Sequence, residues 1–439
     1  MRIIWNSHIQ KGINMKTAAL IVFAAMYVLM ILFMKNMKAR TGIVIGAAAL
    51  FLATGILPIK DVAGAINWNV LLMMAGTMVL VDFFIDSKMP NRMADIILDR
   101  CKNVASVIIA MSLFAGVISA FIDNVATVVM VAPVGLAICR KLKINPVGMI
   151  LCIAVSSNLQ GAATLVGDTT SIMLVAYANM DFTNFFWMNG RLGIFFAVEL
   201  GCLATIPIMK WLFRRDKQPV QASEKTPVSD YLPTVALVGL VAALIAVSFV
   251  PDKPDITNGL ICCAFAAVVG VYELIRSRHP DKLLHALASV DYETLLMLFG
   301  LFLVIGGVSA VGLIDDAASL IARLGGSNMF LLYTIIVWGS VLISAFVDNI
   351  PYVATMLPVI AGITGNLGIE PYLLYFGLLS GATLGGNLTP FGASANIAAG
   401  GILRKEGYSV SFKDFARIGI PFTLTAVMVG YVFIWAVWH

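Results

Sequence analysis

Two acidic residues stand inside runs that are otherwise almost wholly apolar. Asp123 lies in VISAFIDNVATVVMVAPVGLAI (117–138) and Asp348 in LISAFVDNIPYVATMLPVIAGI (342–363), each followed by an asparagine, Asn124 or Asn349. A carboxylate at membrane depth costs about 2.5–3.5 kcal/mol on insertion scales, so it needs a partner or a task. Two tasks suit it there. Asp123, Asn124, Asp348 and Asn349 can supply oxygen ligands to a sodium ion, or the acids can carry protons. The structural alternative is that each Asp-Asn pair caps a helix starting at that point, a place where both residue types are favoured. Asn124 and Asn349 are read as caps and ligands alike. Ser119 and Ser344, just ahead of the acids, are either ligands or small residues that let helices approach closely in a membrane.

Two further polar clusters interrupt apolar sequence. SSNLQGAATLVGDTTSI (156–172) holds Ser156, Ser157, Asn158, Thr164, Gly167, Asp168, Thr169 and Thr170, and GNLTPFGASANI (386–397) holds Asn387, Thr389, Gly392, Ser394 and Asn396. Hydroxyls and amides offer neutral oxygen ligands, and Gly167 and Gly392 permit an unwound turn between helix halves. Asp168 has no acidic mate, because Ala393 takes the corresponding place, so one cluster differs in charge from the other. The alternative is that both are ordinary loop polars outside the membrane.

These stretches occur in pairs because the chain repeats. At a constant shift of 225 positions, the offset between Asp123 and Asp348, residues Ser119, Ala120, Phe121, Asn124 and Pro133 fall on Ser344, Ala345, Phe346, Asn349 and Pro358. The same shift carries Thr164, Gly167 and Ile172 onto Thr389, Gly392 and Ile397, and LLMM (71–74) onto LMLF (296–299). A duplication of this length sets the frame for every other feature.

Composition places the repeat in a membrane. Of 439 residues, 60% are hydrophobic and 12% charged, with a mean hydropathy of +0.93. Soluble chains carry roughly 25% charged residues. Apolar runs of helix-spanning length recur, and they do not alternate as barrel strands do. The fold class is therefore an all-α polytopic membrane protein. The net charge of +5 comes from basic residues in short loops, which does not suggest a nucleic-acid partner. The six cysteines show no metal-binding spacing and read as small buried hydrophobes. None of the four histidines lies mid-span, and no Walker loop, Ser/His/Asp set or HExxH is present, so an enzyme is not expected and no cofactor beyond a coupling sodium or proton.

The order of elements follows from the apolar runs. Spans are expected at 17–34, 42–58 and 69–86, followed by a basic amphipathic stretch at 87–103. Met15 offers an alternative start, since the first apolar run begins just after it. Segment 104–138, broken at Asp123-Asn124 and flanked on both sides by basic residues, reads as a re-entrant hairpin. Segment 146–180 reads as a helix broken in mid-membrane, which is tolerated only where backbone is buried in protein or lines an aqueous cavity. A span at 190–213 closes the first repeat, residues 1–213. The hydrophilic stretch 214–231 is a cytoplasmic linker to the second repeat, 232–439. That repeat has spans at 232–250, 257–275 and 292–312, a hairpin at 329–363, a broken span at 371–403 and a last span at 416–437.

Five crossings (one broken) plus one hairpin per half is odd, so the halves must be inverted. The positive-inside rule agrees, leaving only Lys60, Arg191, Lys253, Arg323 and the N-terminal Arg2, Lys11 and Lys16 outside. Lys35, Lys38 and Arg40 read as the basic flank of the first span. Inverted repeats with discontinuous helices at matching places point to a secondary transporter with a midplane site. The remaining acids carry less. Asp82 and Asp86 read as interfacial, and Glu199 as a buried hydrogen-bonding group or part of a proton path.

The DNVATVVMVAP and DNIPYVATMLP segments, with ATLVGDTTSIM and GNLTPFGASANI after them, resemble the ion transporter superfamily. Its citrate-transporter-like branch of arsenite permeases and sodium/proton antiporters, including the pink-eyed-dilution-type permeases, is the most similar. The resemblance covers most of both halves. It implies a homodimer with a fixed scaffold and a transport domain that moves like an elevator. The divalent-anion members are similar in arrangement, with Ser-Asn-Thr at the tips and Gly-Thr-Pro-Pro-Asn in the breaks, where this chain has Asp-Asn, GDTTS and GASAN. The expected function is secondary transport of a small anion coupled to sodium or protons, in the inner (plasma) membrane. The alternatives are a sodium/proton antiporter and an arsenite or antimonite efflux permease. A channel, of a different class, would conduct without saturation.

Overall fold

A computed structural model describes residues 2–34, 36–220, 225–325 and 328–439, with side chains from Met15 onward. Lys35 and the side chains of Arg2 and Lys11, which enter the charge reading, and linker residues 221–224 lie outside the described residues.

The first half comprises α1 (Arg2–Leu32), α2 (Met37–Ala53), α3 (Val62–Ala65), α4 (Trp68–Asp86), α5 (Met89–Leu98), α6 (Val104–Ser119), α7 (Asn124–Leu142), α8 (Val147–Gly161), α9 (Thr169–Ala178) and α10 (Ile194–Leu212). The second comprises α11 (Leu232–Val247), α12 (Thr257–Ser277), α13 (Asp281–Ala288), α14 (Tyr292–Ala310), α15 (Leu313–Gly325), α16 (Met329–Ser344), α17 (Asn349–Leu367), α18 (Tyr372–Gly385), α19 (Ser394–Lys405) and α20 (Phe412–Trp438). The 225-residue shift lays α1 on α11, α2 on α12 and α4 on α14, then α5 through α10 on α15 through α20. Among the described residues eight helices are long and apolar enough to cross a membrane, namely α4, α7, α10, α12, α14, α17, α20 and the Met15–Leu32 part of α1. The protein is an integral membrane protein.

Local chemistry starts these helices. Asn36, Asn67 and Asn328 each accept a backbone N–H at the first turn of α2, α4 and α16, and Asn103 forms a reciprocal box with Ser106 at α6. Asn103 and Asn328 are repeat mates, so the first arm of each tip is started by the same residue type.

Three boundaries differ from the sequence reading. The N-terminal polar stretch continues α1 instead of preceding it. Helix α8 runs on through Ser156–Asn158 to Gly161, so the first break is confined to residues 162–168; side-chain bonds from Ser157 and Asn158 hold that turn helical. The span expected from 190 begins at Ile194, after a two-stranded hairpin, β1 (Trp187–Met188) and β2 (Arg191–Leu192). Asn189 and Gly190 both have positive φ, 51° and 75°, the backbone demanded by a tight hairpin turn.

Packing respects the repeat. Helix α4 packs on α12 and α14 on α2; α7 packs on α19 and α17 on α9; α6 packs on α8 and α16 on α18. Exchanging the halves maps this set onto itself. Two helix groups result. One holds α1–α4 and α11–α14, the other α6–α10 and α16–α20, with the amphipathic α5 and α15 between them. The groups meet where α7, α9 and α17 face α4 and α14.

Candidate functional site

Each tip is a four-residue connection between two helix arms, closed by its aspartate. Asp123 Oδ2 accepts from the amides of Val125 (2.9 Å) and Ala126 (3.2 Å), and Asp348 Oδ1 accepts from the amide of Ile350 (3.4 Å). Capping is therefore real at both acids. It occupies one oxygen of each; the other oxygen of Asp348 is taken by Arg40 and Ser394. The asparagines do not cap. Asn124 and Asn349 are the first residues of α7 and α17, and their amides reach across to other elements.

The breaks dock onto the tips through matching contacts. Thr164 Oγ1 donates to Ala120 O, and its repeat mate Thr389 donates to Ala345 O at 2.5 Å. Gly167 and Gly392 are needed for closeness, since neither has positive φ. A Cβ on Gly167 would lie 2.6 Å from the carbonyl oxygens of Gly161 and Ser119 and 2.8 Å from that of Ala120. A Cβ on Gly392 would meet the equivalent oxygens of Gly386, Ser344 and Ala345 at 2.7, 2.7 and 2.9 Å. Both glycines lie in the non-helical breaks, and what they supply there is clearance. Ser119 accepts from Ser157 Oγ (3.0 Å) and Ser344 donates to Ala382 O (2.6 Å), so both serines join arm to broken helix.

An amide network then links the halves. Asn124 Nδ2 donates to Asn158 Oδ1 (2.9 Å), and Asn158 Nδ2 donates to Asn387 Oδ1 (2.8 Å) and Asn396 Oδ1 (3.3 Å). Asn387 donates to Val155 O (2.9 Å), and Asn396 to Gly386 O (3.1 Å) and Thr389 O (3.3 Å). All four asparagines are buried. In a low-dielectric interior, polar groups are tolerated only when satisfied, and such a network fixes one geometry.

The second cluster surrounds Asp168, which is buried beside the start of α9 with Thr169 next to it. Asp168 Oδ2 accepts from Thr170 Oγ1 (2.8 Å) and Asn349 Nδ2 (3.3 Å), and Thr170 also meets Thr383 (3.2 Å). Asp123 and Asp348 both lie within electrostatic reach of Asp168. Oδ1 of Asp123 makes no hydrogen bond to any described residue, whereas the Asp168 carboxylate also takes the backbone amide of Thr169. Asp348 differs, because its Oδ2 is bound by Arg40 Nη2 (2.8 Å) and Ser394 Oγ (3.0 Å).

Four helix N-termini, those of α7, α9, α17 and α19, belong to these same segments. Asp168 and Ala393, at the N-cap positions of α9 and α19, make no side-chain cap bond. Helix N-termini attract anions, although at α9 the Thr169 amide is already taken by the Asp168 carboxylate, and carboxylate oxygens attract sodium or protons.

Sequence reasoning missed two parts of this centre. In sequence Arg40 reads as part of a flank with Lys35 and Lys38, yet it is buried in α2 and paired across the fold. Thr383 was not singled out at all. The only hint for Arg40 was its place just ahead of the apolar TGIVIGAAAL. Glu199, half-buried, accepts from Gln160 Nε2 (3.2 Å). Asp82 meets exposed His285 at 3.2 Å.

Comparison with known proteins gives the family and the fold. The sequence family described as "Citrate transporter" matches residues 28–379. An uncharacterized transporter of Mycobacterium tuberculosis is 30% identical over 436 residues, covering 96% of this chain and 98% of its own. The human P protein is 26% identical over 494 residues, covering 94% of this chain and 59% of its own. Among solved structures, the Alcanivorax borkumensis YdaH transporter is similar with a TM-score of 0.61 at 15% identity, covering 88% of each chain, a likeness of fold.

Proposed function

The chain belongs to the citrate transporter family, and from that premise we propose that it carries a small anion across the membrane together with sodium or protons. The observation that supports this most is the meeting, in one centre, of the helix N-termini of α9 and α19 with the Asp123 and Asp168 carboxylates, Asp123 keeping Oδ1 unengaged by any described residue. The N-termini of α9 and α19 are suited to the anion. Asp123 and Asp168 are suited to the cation, with Asn124 and Asn349 beside them. Linked occupancy of the two would make transport coupled.

The two helix groups support an elevator motion in which the tips and breaks travel with α6–α10 and α16–α20. The other group would stay fixed at the interface of a homodimer in the plasma membrane. A sodium/proton antiporter is the second reading, favoured by three carboxylates within electrostatic reach of one another, of which only Asp348 is paired with an arginine. Radiolabelled citrate uptake into proteoliposomes, driven by an imposed sodium or pH gradient, tests the first. Citrate uptake that responds to either gradient supports it. Sodium–proton exchange with no anion present supports the second, and the absence of both fluxes defeats the two together.

A further inference from the structure

We infer that Arg40 is the anion-recognising residue of this centre and that Asp348 is its internal stand-in, occupying the guanidinium until the anion arrives. The inference rests on the reading that an anion is transported. Among the described residues Arg40 is the one buried lysine or arginine. Its side chain is 4% exposed and that of Asp348 3%. The pair bridges the two helix groups, since Arg40 comes from α2 while Asp348 and Ser394 belong to the tip and break of the second repeat.

The contact is one-cornered. Only Nη2 of Arg40 and Oδ2 of Asp348 meet, and Nη2 has Met297 Sδ as a weak second neighbour at 4.0 Å. Arginine and carboxylate ordinarily favour a two-pronged fit. Here Nε and Nη1 make no hydrogen bond to a described residue, so a guanidinium edge remains for an incoming oxyanion. A narrow cleft walled by Met30, Ile31, Met34, Phe346, Val347 and Phe391 adjoins the pair. The repeat does not require this cation, because the mate of Arg40 is Phe265 and Asp123 is held by its own amides alone.

Exchange follows from these contacts. An anion that takes Arg40 releases Asp348 Oδ2, already hydrogen-bonded by Ser394, to become a cation ligand. Anion and cation then bind in a linked way, each strengthening the other. A mere structural brace would behave differently, since its loss would act on stability and not on citrate binding.

The test is calorimetric titration of citrate into the purified full-length protein, with and without sodium. Removing the stand-in with Asp348→Asn is expected to tighten citrate about tenfold, because the competent guanidinium is no longer masked, and to abolish strengthening by sodium. Arg40→Lys keeps the charge but loses the planar fork, so citrate should weaken with the melting midpoint preserved. The double variant Arg40→Gln with Asp348→Asn should melt like wild type and bind no citrate. Citrate binding by that double variant at wild-type strength would leave the pair a brace and overturn the inference. So would weakening by Asp348→Asn, or indifference to Arg40→Lys. If Asp348→Asn does not fold, the lysine and double variants decide the matter. Failure of wild type and Asp348→Asn to bind citrate, phosphate and sulfate alike would remove the anion reading itself and the inference with it.

Discussion

Replacing Gly167 by alanine should unseat the first tip from the first break. The added Cβ would lie 2.6 Å from two backbone carbonyl oxygens, those of Gly161 and Ser119, and 2.8 Å from a third, that of Ala120. None of these is the end of a flexible side chain that can rotate away. Tip and break must therefore separate, or the helix ends on either side must shift. Ordinary overpacking costs about 1–3 kcal/mol, and three carbonyls of fixed backbone put this substitution at or beyond the upper end. Gly392→Ala meets the equivalent three oxygens at 2.7–2.9 Å and should cost a similar amount. Gly400→Ala and Gly401→Ala are internal controls. A Cβ there has nothing within 4 Å, and inside α19 alanine is favoured over glycine by roughly 0.5–1 kcal/mol. The assay is the melting midpoint of each purified variant, followed by flux in liposomes. Gly167→Ala and Gly392→Ala should melt well below wild type and lose transport, with both controls at or above wild type. Equal midpoints for all four variants would show that the tips do not dock on the breaks, and the centre described above would not exist.

Other perturbations bear on the same centre. Asn158→Asp puts an acceptor where Nδ2 now donates to Asn387 and Asn396, leaving two buried acceptors facing a third; each unsatisfied group costs roughly 1–3 kcal/mol, and the variant should melt well below Asn158→Gln controls that keep the donor. Thr164→Val and Thr389→Val each leave one tip carbonyl without its hydroxyl, a loss of about 1 kcal/mol apiece, and their effects on melting should be alike because the contacts are repeat mates. His285, held in its charged form by the Asp82 carboxylate hydrogen-bonded to it, titrates above its ordinary value. A group raised on folding stabilises fully below its unfolded value and loses that contribution as pH rises through the folded one. The melting difference between wild type and His285→Gln should therefore be largest in mild acid and vanish at alkaline pH; a difference that grows with pH would refute the pairing.

The repeat was legible because its signature residues survive in both copies: Asp123 and Asp348, Thr164 and Thr389, Gly167 and Gly392. Once the shift was known, the tips and breaks followed from single polar residues set in apolar sequence. What lay beyond reach depended on partners distant along the chain. Arg40 sits 308 residues from Asp348, and next to Lys35 and Lys38 it looked like any membrane-boundary cation. Asn158 fell in a cluster read as unwound, because small and polar residues give no sign of which ones a helix will keep once their side chains find buried partners. The role of Gly167 was also hidden, since a glycine required for clearance and one required for positive φ look the same in sequence.

The most direct test of the account is accumulation of citrate by the Asp168→Asn protein in sodium- or pH-gradient proteoliposomes, set beside counterflow at equilibrium. If Asp168 holds the coupling cation, the variant should still exchange labelled for unlabelled citrate but fail to concentrate it. Concentrative uptake at the wild-type level, with the variant shown to be folded, would contradict the assignment of the cation to this centre.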